Sequence, residues 1–221
     1  MKASPTERDP LRVLITAGPT HEAIDPVRFI GNRSSGKMGF ALAEAAVAAG
    51  HEVTLIAGPV KLSTPAGVHR IDVTSAAEMY SAVASNLSAI DTAILCAAVA
   101  DFTPVDPARQ KIKKSGADTM TLELVRTSDI LGSMREPLGF IGTLVGFAAE
   151  TENLITNATD KLLRKGCDFL VANDVSIANS GFESDNNSVT LLSRCGEVFS
   201  AAGSKRELAI RIIEEVTASK P

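Results

Sequence analysis

Apolar and polar positions divide the chain into short strand-like runs and longer amphipathic runs that follow one another in turn. Residues 12–17 (RVLITA) are a β-branched apolar run that stops at Gly18-Pro19-Thr20, as a strand does on entering a loop. Residues 35–50 carry an Ala-rich packing face and end at Gly50, which predicts a helix with a glycine stop. A second strand is expected at 52–57 (EVTLIA), then a helix capped by Thr74 or Ser75 and running to about Leu87. Residues 92–99 are almost wholly apolar, the pattern of a strand covered on both faces of a parallel sheet. Residues 102–118, with Pro104, Pro107, Gly116 and a run of lysines, read as a long polar loop of the kind used for lids and binding. Beyond it the pattern predicts a short alternating strand at 119–125 and a brief helix from Thr127 or Ser128. A strand at 143–148, a helix at 152–165 ended by Gly166, and a strand at 168–172 follow. A hairpin of 188–192 and 197–200 around Cys195-Gly196 precedes the closing helix at 205–216.

This alternation predicts an α/β fold: a doubly wound, mostly parallel Rossmann-like sheet with helices on both faces and a C-terminal hairpin. Residues 1–10 read as a flexible tail and 11–221 as one domain. In such sheets ligands bind beyond the carboxyl ends of the strands, so chemistry is expected in the loops after residues 17, 57, 100, 126, 148 and 172.

Composition narrows the class. Trp is absent and Tyr80 is the single tyrosine, so aliphatic side chains must build the core. A net charge of −4 argues against nucleic acid as a partner, which would need a basic face. Cys96, Cys167 and Cys195 are widely spaced, with neither CxxC nor zinc-ligand spacing, so a reducing cytoplasmic location is expected and no protein metal site. The first ten residues lack the apolar core of a signal peptide, and no apolar run reaches the ~18 residues that a membrane span needs.

Six loop segments carry candidate chemistry. Gly31 to Lys37 nearly spells a P-loop, but Met38 stands where the motif needs a hydroxyl for Mg2+, and the segment lies well past its strand. Ser34, Ser35 and Gly36 still open a helix whose amides favour an anion, or simply cap it. The small residues Ala97 and Ala98 let a flat ligand approach the backbone, and Asp101 just beyond them suits a ribose hydroxyl, a cation or a turn cap. Lys111, Lys113 and Lys114 form a charge run that either closes over a polyphosphate or is merely solvated. Thr127, Ser128, Asp129 and Ile130 make another strand-to-helix entry, and Phe147 stands at a strand end where it faces a base or packs in the core. Lys161 and Lys165, four apart, share one helix face.

Taken in order, these segments carry a resemblance over residues 13–216: ITAGPTHEAIDPVRFIGNRSSGKMG, CAAVADF, KIKK, GFAAET, and AND followed by GFESDNN (Gly181 to Asn187). The chain resembles phosphopantothenoylcysteine synthetase, the ligase half of bacterial bifunctional coenzyme A biosynthesis proteins. It departs from many relatives in carrying Gly31 for Ser and Thr127-Ser128 for Asn-Pro. The resemblance implies a ligase that joins 4′-phosphopantothenate to L-cysteine through an acyl-cytidylate, with CTP as co-substrate and Mg2+ held mainly by the nucleotide phosphates. It implies catalytic roles for Asn32 and Lys111. Nucleotide contacts would come from Ala97, Asp101, Lys111, Thr127, Ser128, Asp129, Ile130, Phe147, Lys161 and Lys165, and substrate contacts from Arg28, Asn32 and Ala98. It further implies a homodimer, no flavin in this chain, and a flavin-dependent decarboxylase domain as companion if the chain comes from a bifunctional protein. The rival readings are a nicotinamide oxidoreductase, against which the missing G-x-G-x-x-G counts, and a nucleotide-binding module without turnover.

Overall fold

The computed structural model describes residues 9–113, 119–150, 152–174 and 184–218. Most of the expected tail, Lys114 and Gly116 of the long loop, and the start of the GFESDNN motif lie outside the described residues. The elements run β1 (Arg12–Ala17), β2 (His21–Asp25), β3 (Arg28–Gly31), α1 (Lys37–Ala48), β4 (Glu52–Ala57), β5 (Val68–Asp72) and α2 (Ala76–Asn86). A 3-10 turn, Leu87–Ala89, leads to β6 (Thr92–Leu95), β7 (Phe102–Pro104), β8 (Leu124–Arg126), α3 (Ile130–Ser133) and β9 (Thr143–Glu150). The chain closes with α4 (Leu154–Arg164), β10 (Phe169–Asp174), β11 (Asn186–Ser193), β12 (Gly196–Ser204) and α5 (Lys205–Ala218).

Eight strands form one sheet in the order β12-β11-β10-β9-β6-β1-β4-β5. The six from β10 to β5 are parallel, and the β11–β12 hairpin adds antiparallel to β10. Strand order reverses between β1 and β6, which is the switch point where a doubly wound sheet opens a crevice. Alternate residues of the central strands feed two cores. Val13, Ile15, Ile94, Val145 and Val171 pack under α1 and α5. Leu14, Ile56, Ala93, Leu144 and Leu170 pack with side chains of α2, α3 and α4 on the other face. Leu14, Ile15, Leu55, Ile56 and Ile94 are fully buried, each worth roughly 1.5–3 kcal/mol against exposure.

Helix α1 seats directly on β1 because Gly39 has no side chain: a Cβ there would lie 2.5 Å from the Ala17 Cβ. That close approach aims the amino end of α1 at the carboxyl end of β1, where Gly36 turns the chain with φ 76°.

Several expectations need correction. The supposed loop after β1 contains the β2–β3 hairpin. The edge strand β5 escaped the pattern because none of its side chains is fully buried. The strand expected at 92–99 ends at Leu95, since residues 96–100 turn to bond the loop after β1. Residues 102–104 are not loop but pair with β8, and the strand expected at 119–125 shrinks to Leu124–Arg126. Among the described residues no helix is long and apolar enough to cross a membrane.

Candidate active site

A cleft of about 1050 Å³ lies over the carboxyl ends of the sheet at the switch point. Its floor is laced together by backbone and hydroxyl groups. The Ala97 amide donates to Thr16 Oγ1 at 3.2 Å and the Ala100 amide to Thr20 Oγ1 at 2.9 Å. The Ala98 amide donates to the Gly18 carbonyl at 2.9 Å, so the two loops run side by side. Asn32 reaches across from the end of the hairpin. Its Nδ2 donates to the Ala98 and Val99 carbonyls, both at 3.1 Å. The carboxamide therefore sits over the strand end, but donation to a reacting oxygen requires one of these bonds to be exchanged.

One wall is built from the loop after β8 and from α4. Thr127 donates its amide to the Asp101 carbonyl at 3.0 Å and its hydroxyl to the Ala100 carbonyl at 2.6 Å, fixing the strand-to-helix entry against the floor. Ser128 is exposed at the rim, and Ile130 is buried among the core side chains below it. Asp129 caps α3 by accepting the Gly132 amide at 2.9 Å and forms an ion pair with Lys165. Burial opposes its charge, yet the Lys165 and Gly132 hydrogen bonds outweigh that and hold its carboxyl below the ordinary value. Lys161 donates to the Phe147 carbonyl at 2.9 Å, and the Phe147 ring packs beside the α1/α5 core.

Two expected site residues stand apart. Arg28 is committed to Asp25, whose side chain is fully buried, and also donates to the Ile112 carbonyl at 3.0 Å. Asp25 accepts the Ile112 amide at 3.1 Å as well. This pair therefore pins the basic loop to the hairpin, and neither Arg28 nor the exposed Lys111 lines the cleft. The Arg28 hydrogen bond, with amides of Val27, Ile112 and Arg28, drives the Asp25 carboxyl well below the usual carboxylate range despite burial.

The opposite wall holds residues to which sequence reasoning gave no role. Lys37, in the first turn of α1, forms an ion pair with Asp185 at 2.6 Å. Lys205, at the first turn of α5, is only 5% exposed and donates to the Ser184 carbonyl at 2.6 Å. Burial, then the charge of Lys37, pulls its ammonium below the ordinary value. Cys96, Asn173 and Asn187 complete this side. Burial pushes the Cys96 thiol up to about 12. The sequence offered one hint, since Asn173 and Asn187 fall in the AND and GFESDNN motifs, but helix-start lysines look like ordinary surface charges.

A doubly wound sheet with lysines on both walls of its switch-point crevice defines a Rossmann-like α/β domain suited to anionic ligands. The chain belongs to the family of the DNA/pantothenate metabolism flavoprotein C-terminal domain, whose model matches residues 9–219. It is 52% identical over 203 residues to the coenzyme A biosynthesis bifunctional protein CoaBC of Vibrio cholerae, covering 91% of this chain and 51% of that protein. It is 52% identical over 199 residues to CoaBC of Bacillus subtilis, covering 90% of this chain and 47% of that one. The chain thus spans about half the length of the curated relatives it matches. Among solved structures, the C-terminal domain of a CoaBC protein superposes with a TM-score of 0.79 at 41% identity, covering 94% of each chain.

Proposed function

We propose that this chain is a phosphopantothenate–cysteine ligase that uses CTP. The observation that carries this reading is that a domain of this family gathers Asn32, Ala97, Ala98, Asp101, Thr127 to Ile130, Phe147, Lys161 and Lys165 into one switch-point cleft. In the first step the 4′-phosphopantothenate carboxylate attacks the α-phosphorus of CTP, pyrophosphate leaves, and an acyl-cytidylate forms. In the second the cysteine nitrogen bonds to the acyl carbon while the acyl C–O bond to phosphate breaks, and the electron pair leaves with CMP. Two of the three ammonium protons pass to solvent. No enzyme nucleophile is needed, in keeping with a Cys96 thiol held neutral by burial.

Lys161, Lys165 and the backbone amides at 128–130 hold the triphosphate, and Asn32 supplies a donor to the acyl oxygen once one of its bonds to Ala98 or Val99 is exchanged. Lys111 acts only if its loop moves from the hairpin to the cleft. In this reading Mg2+ is an ion carried by the nucleotide phosphates. When bound it neutralises charge along the triphosphate.

The chain acts as a homodimer in this reading, in the cytoplasm, with a flavin-dependent decarboxylase as the companion half of a bifunctional protein. Exposed Phe29, Val27, Phe102, Leu124 and Val125 on the two small sheets support a subunit contact there. The test is pyrophosphate release from CTP that requires phosphopantothenate, followed by cysteine-dependent release of CMP, with ATP as the competing nucleotide. A chain that binds CTP yet releases no pyrophosphate is not this ligase.

A further inference from the structure

Charge sets the cleft apart from the rest of the chain. Among the described residues, seven Lys and Arg side chains line it against two carboxylates, Asp101 and Asp129, although the whole chain carries a net charge of −4. The four lysines have protein partners: Lys37 pairs with Asp185 and Lys165 with Asp129, while Lys161 donates to the Phe147 carbonyl and Lys205 to that of Ser184. The three arginines, Arg33, Arg126 and Arg164, are exposed, and among the described residues none of them is held by an ion pair or a hydrogen bond. Arg126 leans over the Phe102 ring at 6.0 Å, and Arg33 stands beside Asn32 on the far rim.

Arg164 stands on the wall that the ligase reading gives to the triphosphate. Lys161 and Arg164 occupy the last turn of α4, and Lys165 caps it. Spacings of three and four residues bring Arg164 and Lys165 onto the face of Lys161, and all three line the cleft. Burial opposes the Asp129 charge, the Lys165 and Gly132 bonds favour it, and the Arg164 charge adds to them. Arg164 thus belongs to the same electrostatic group as the two lysines, but its guanidinium keeps all its donors for a ligand.

The run of α4 sets the order in which a ligand meets these cations. The helix leaves the carboxyl end of β9 and returns to the amino end of the parallel strand β10, so it runs against the sheet. The reacting centre lies over the carboxyl ends, where Asn32 bonds the Ala98 and Val99 carbonyls. At about 1.5 Å per residue, Arg164 is set roughly 4.5 Å farther from those ends along the helix than Lys161. A triphosphate whose α-phosphorus lies at the reacting centre and whose tail follows α4 therefore reaches Lys161 first and Arg164 last. The planar fork of an arginine matches two oxygens of a phosphate group, which an ammonium cannot do.

Within the ligase reading, on which this rests, we infer that Arg164 binds the outer phosphates of the nucleotide, the β and γ groups that leave together as pyrophosphate. Lys161 and Lys165 are built into the wall and need no rearrangement to present their charge, and Arg164 is the hand that closes on the tail. CMP has no phosphate that reaches it, so Arg164 separates the nucleotide that enters from the nucleotide that is released.

Calorimetry with CTP and CMP in the presence of Mg2+ tests this on wild type, Arg164→Met and Arg164→Lys. Arg164→Met binds CTP about 10- to 100-fold less tightly and CMP as tightly as wild type. Arg164→Lys keeps the charge at the helix end without the fork, and its CTP affinity falls between the two. Pyrophosphate, added as an inhibitor of phosphopantothenate-dependent turnover, loses potency in Arg164→Met along with CTP. A loosened wall would weaken CTP and CMP together, so equal losses for the two overturn the assignment, as does wild-type CTP affinity in the folded Met variant. A wild type that releases no pyrophosphate with phosphopantothenate overturns the ligase reading, whatever the ratio of CTP to CMP affinity shows.

Discussion

Lys165 and Asp129 form an ion pair that ties the C-cap of α4 to the entry of α3 across one wall of the cleft. The Lys165 side chain is largely buried, and a Cβ on Gly132 would lie 3.1 Å from its Nζ, so the ammonium is packed as well as paired. A lysine placed in this way supports the wall in addition to any contact with phosphate.

Replacing Lys161 and Lys165 together by Ala therefore has two effects. The apparent KM for CTP rises at least 10-fold as two cations are lost. The melting temperature also falls by several degrees, since about 1–2 kcal/mol of hydrogen bonding goes with them. Calorimetry that finds wild-type CTP affinity in the folded variant reduces both lysines to wall supports.

Asn32→Ala is expected to leave the fold intact, because the residue is exposed and bonds only to loop carbonyls. Turnover should drop by on the order of 10²–10³ if the carboxamide donates to the developing oxyanion. A purified variant with near-normal kcat removes Asn32 from the chemistry.

Asp25 and Arg28 bear on both stability and loop motion. The folded-state pKa of Asp25 is depressed, so its contribution is fully present above its unfolded value of about 4 and is lost as pH falls toward the folded value. Asp25→Asn should thus lower stability to urea at pH 7, and the gap to wild type should narrow below pH ~4. The same change should speed hydrogen exchange at the Ile112 amide, which Asp25 holds. Equal protection in wild type and variant means that the basic loop is anchored elsewhere. If Lys111 is a closing residue, Lys111→Gln slows cysteine-dependent CMP release more than pyrophosphate release.

Thiol labelling checks the burial of the cysteines. Cys195 is exposed, whereas burial pushes Cys96 to about 12 and Cys167 to about 11. Iodoacetamide at pH 8 should modify Cys195 in the native protein and the other two only after unfolding, with ligase activity surviving the first modification. Rapid native labelling of Cys96 contradicts its packing.

The parallel sheet was legible because β1, β4, β6 and β9 are apolar runs separated by helical spacing and glycine stops. The β7–β8 sheet was not, because Phe102 to Pro104 and Leu124 to Arg126 pair over a long sequence separation and present apolar side chains outward. Arg28 could be nominated as an anion receptor, but not its ion pair with an aspartate three residues away, whose burial no pattern discloses. Lys161, Lys165 and Asn32 could be nominated from motif order, but not that each already has protein partners. Lys205 was passed over for the opposite reason: a lysine opening a helix is common on surfaces, and only the fold brings it beneath Ser184 and beside Cys96.

The bonds that the Ala97 and Ala100 amides donate to Thr16 and Thr20 act as rivets between the loop after β6 and the end of β1 with the loop that follows it. A riveted floor cannot widen by splaying its strands, so a bulkier guest has to be accommodated by the rim. The residues at 105–113 and the exposed Ser128 lie outside the eight-stranded sheet and are replaceable without touching it. Divergence in nucleotide choice among proteins of this design is therefore expected to be recorded in rim sequence, with the floor threonines retained, and a transplant of the rim alone should carry the preference with it.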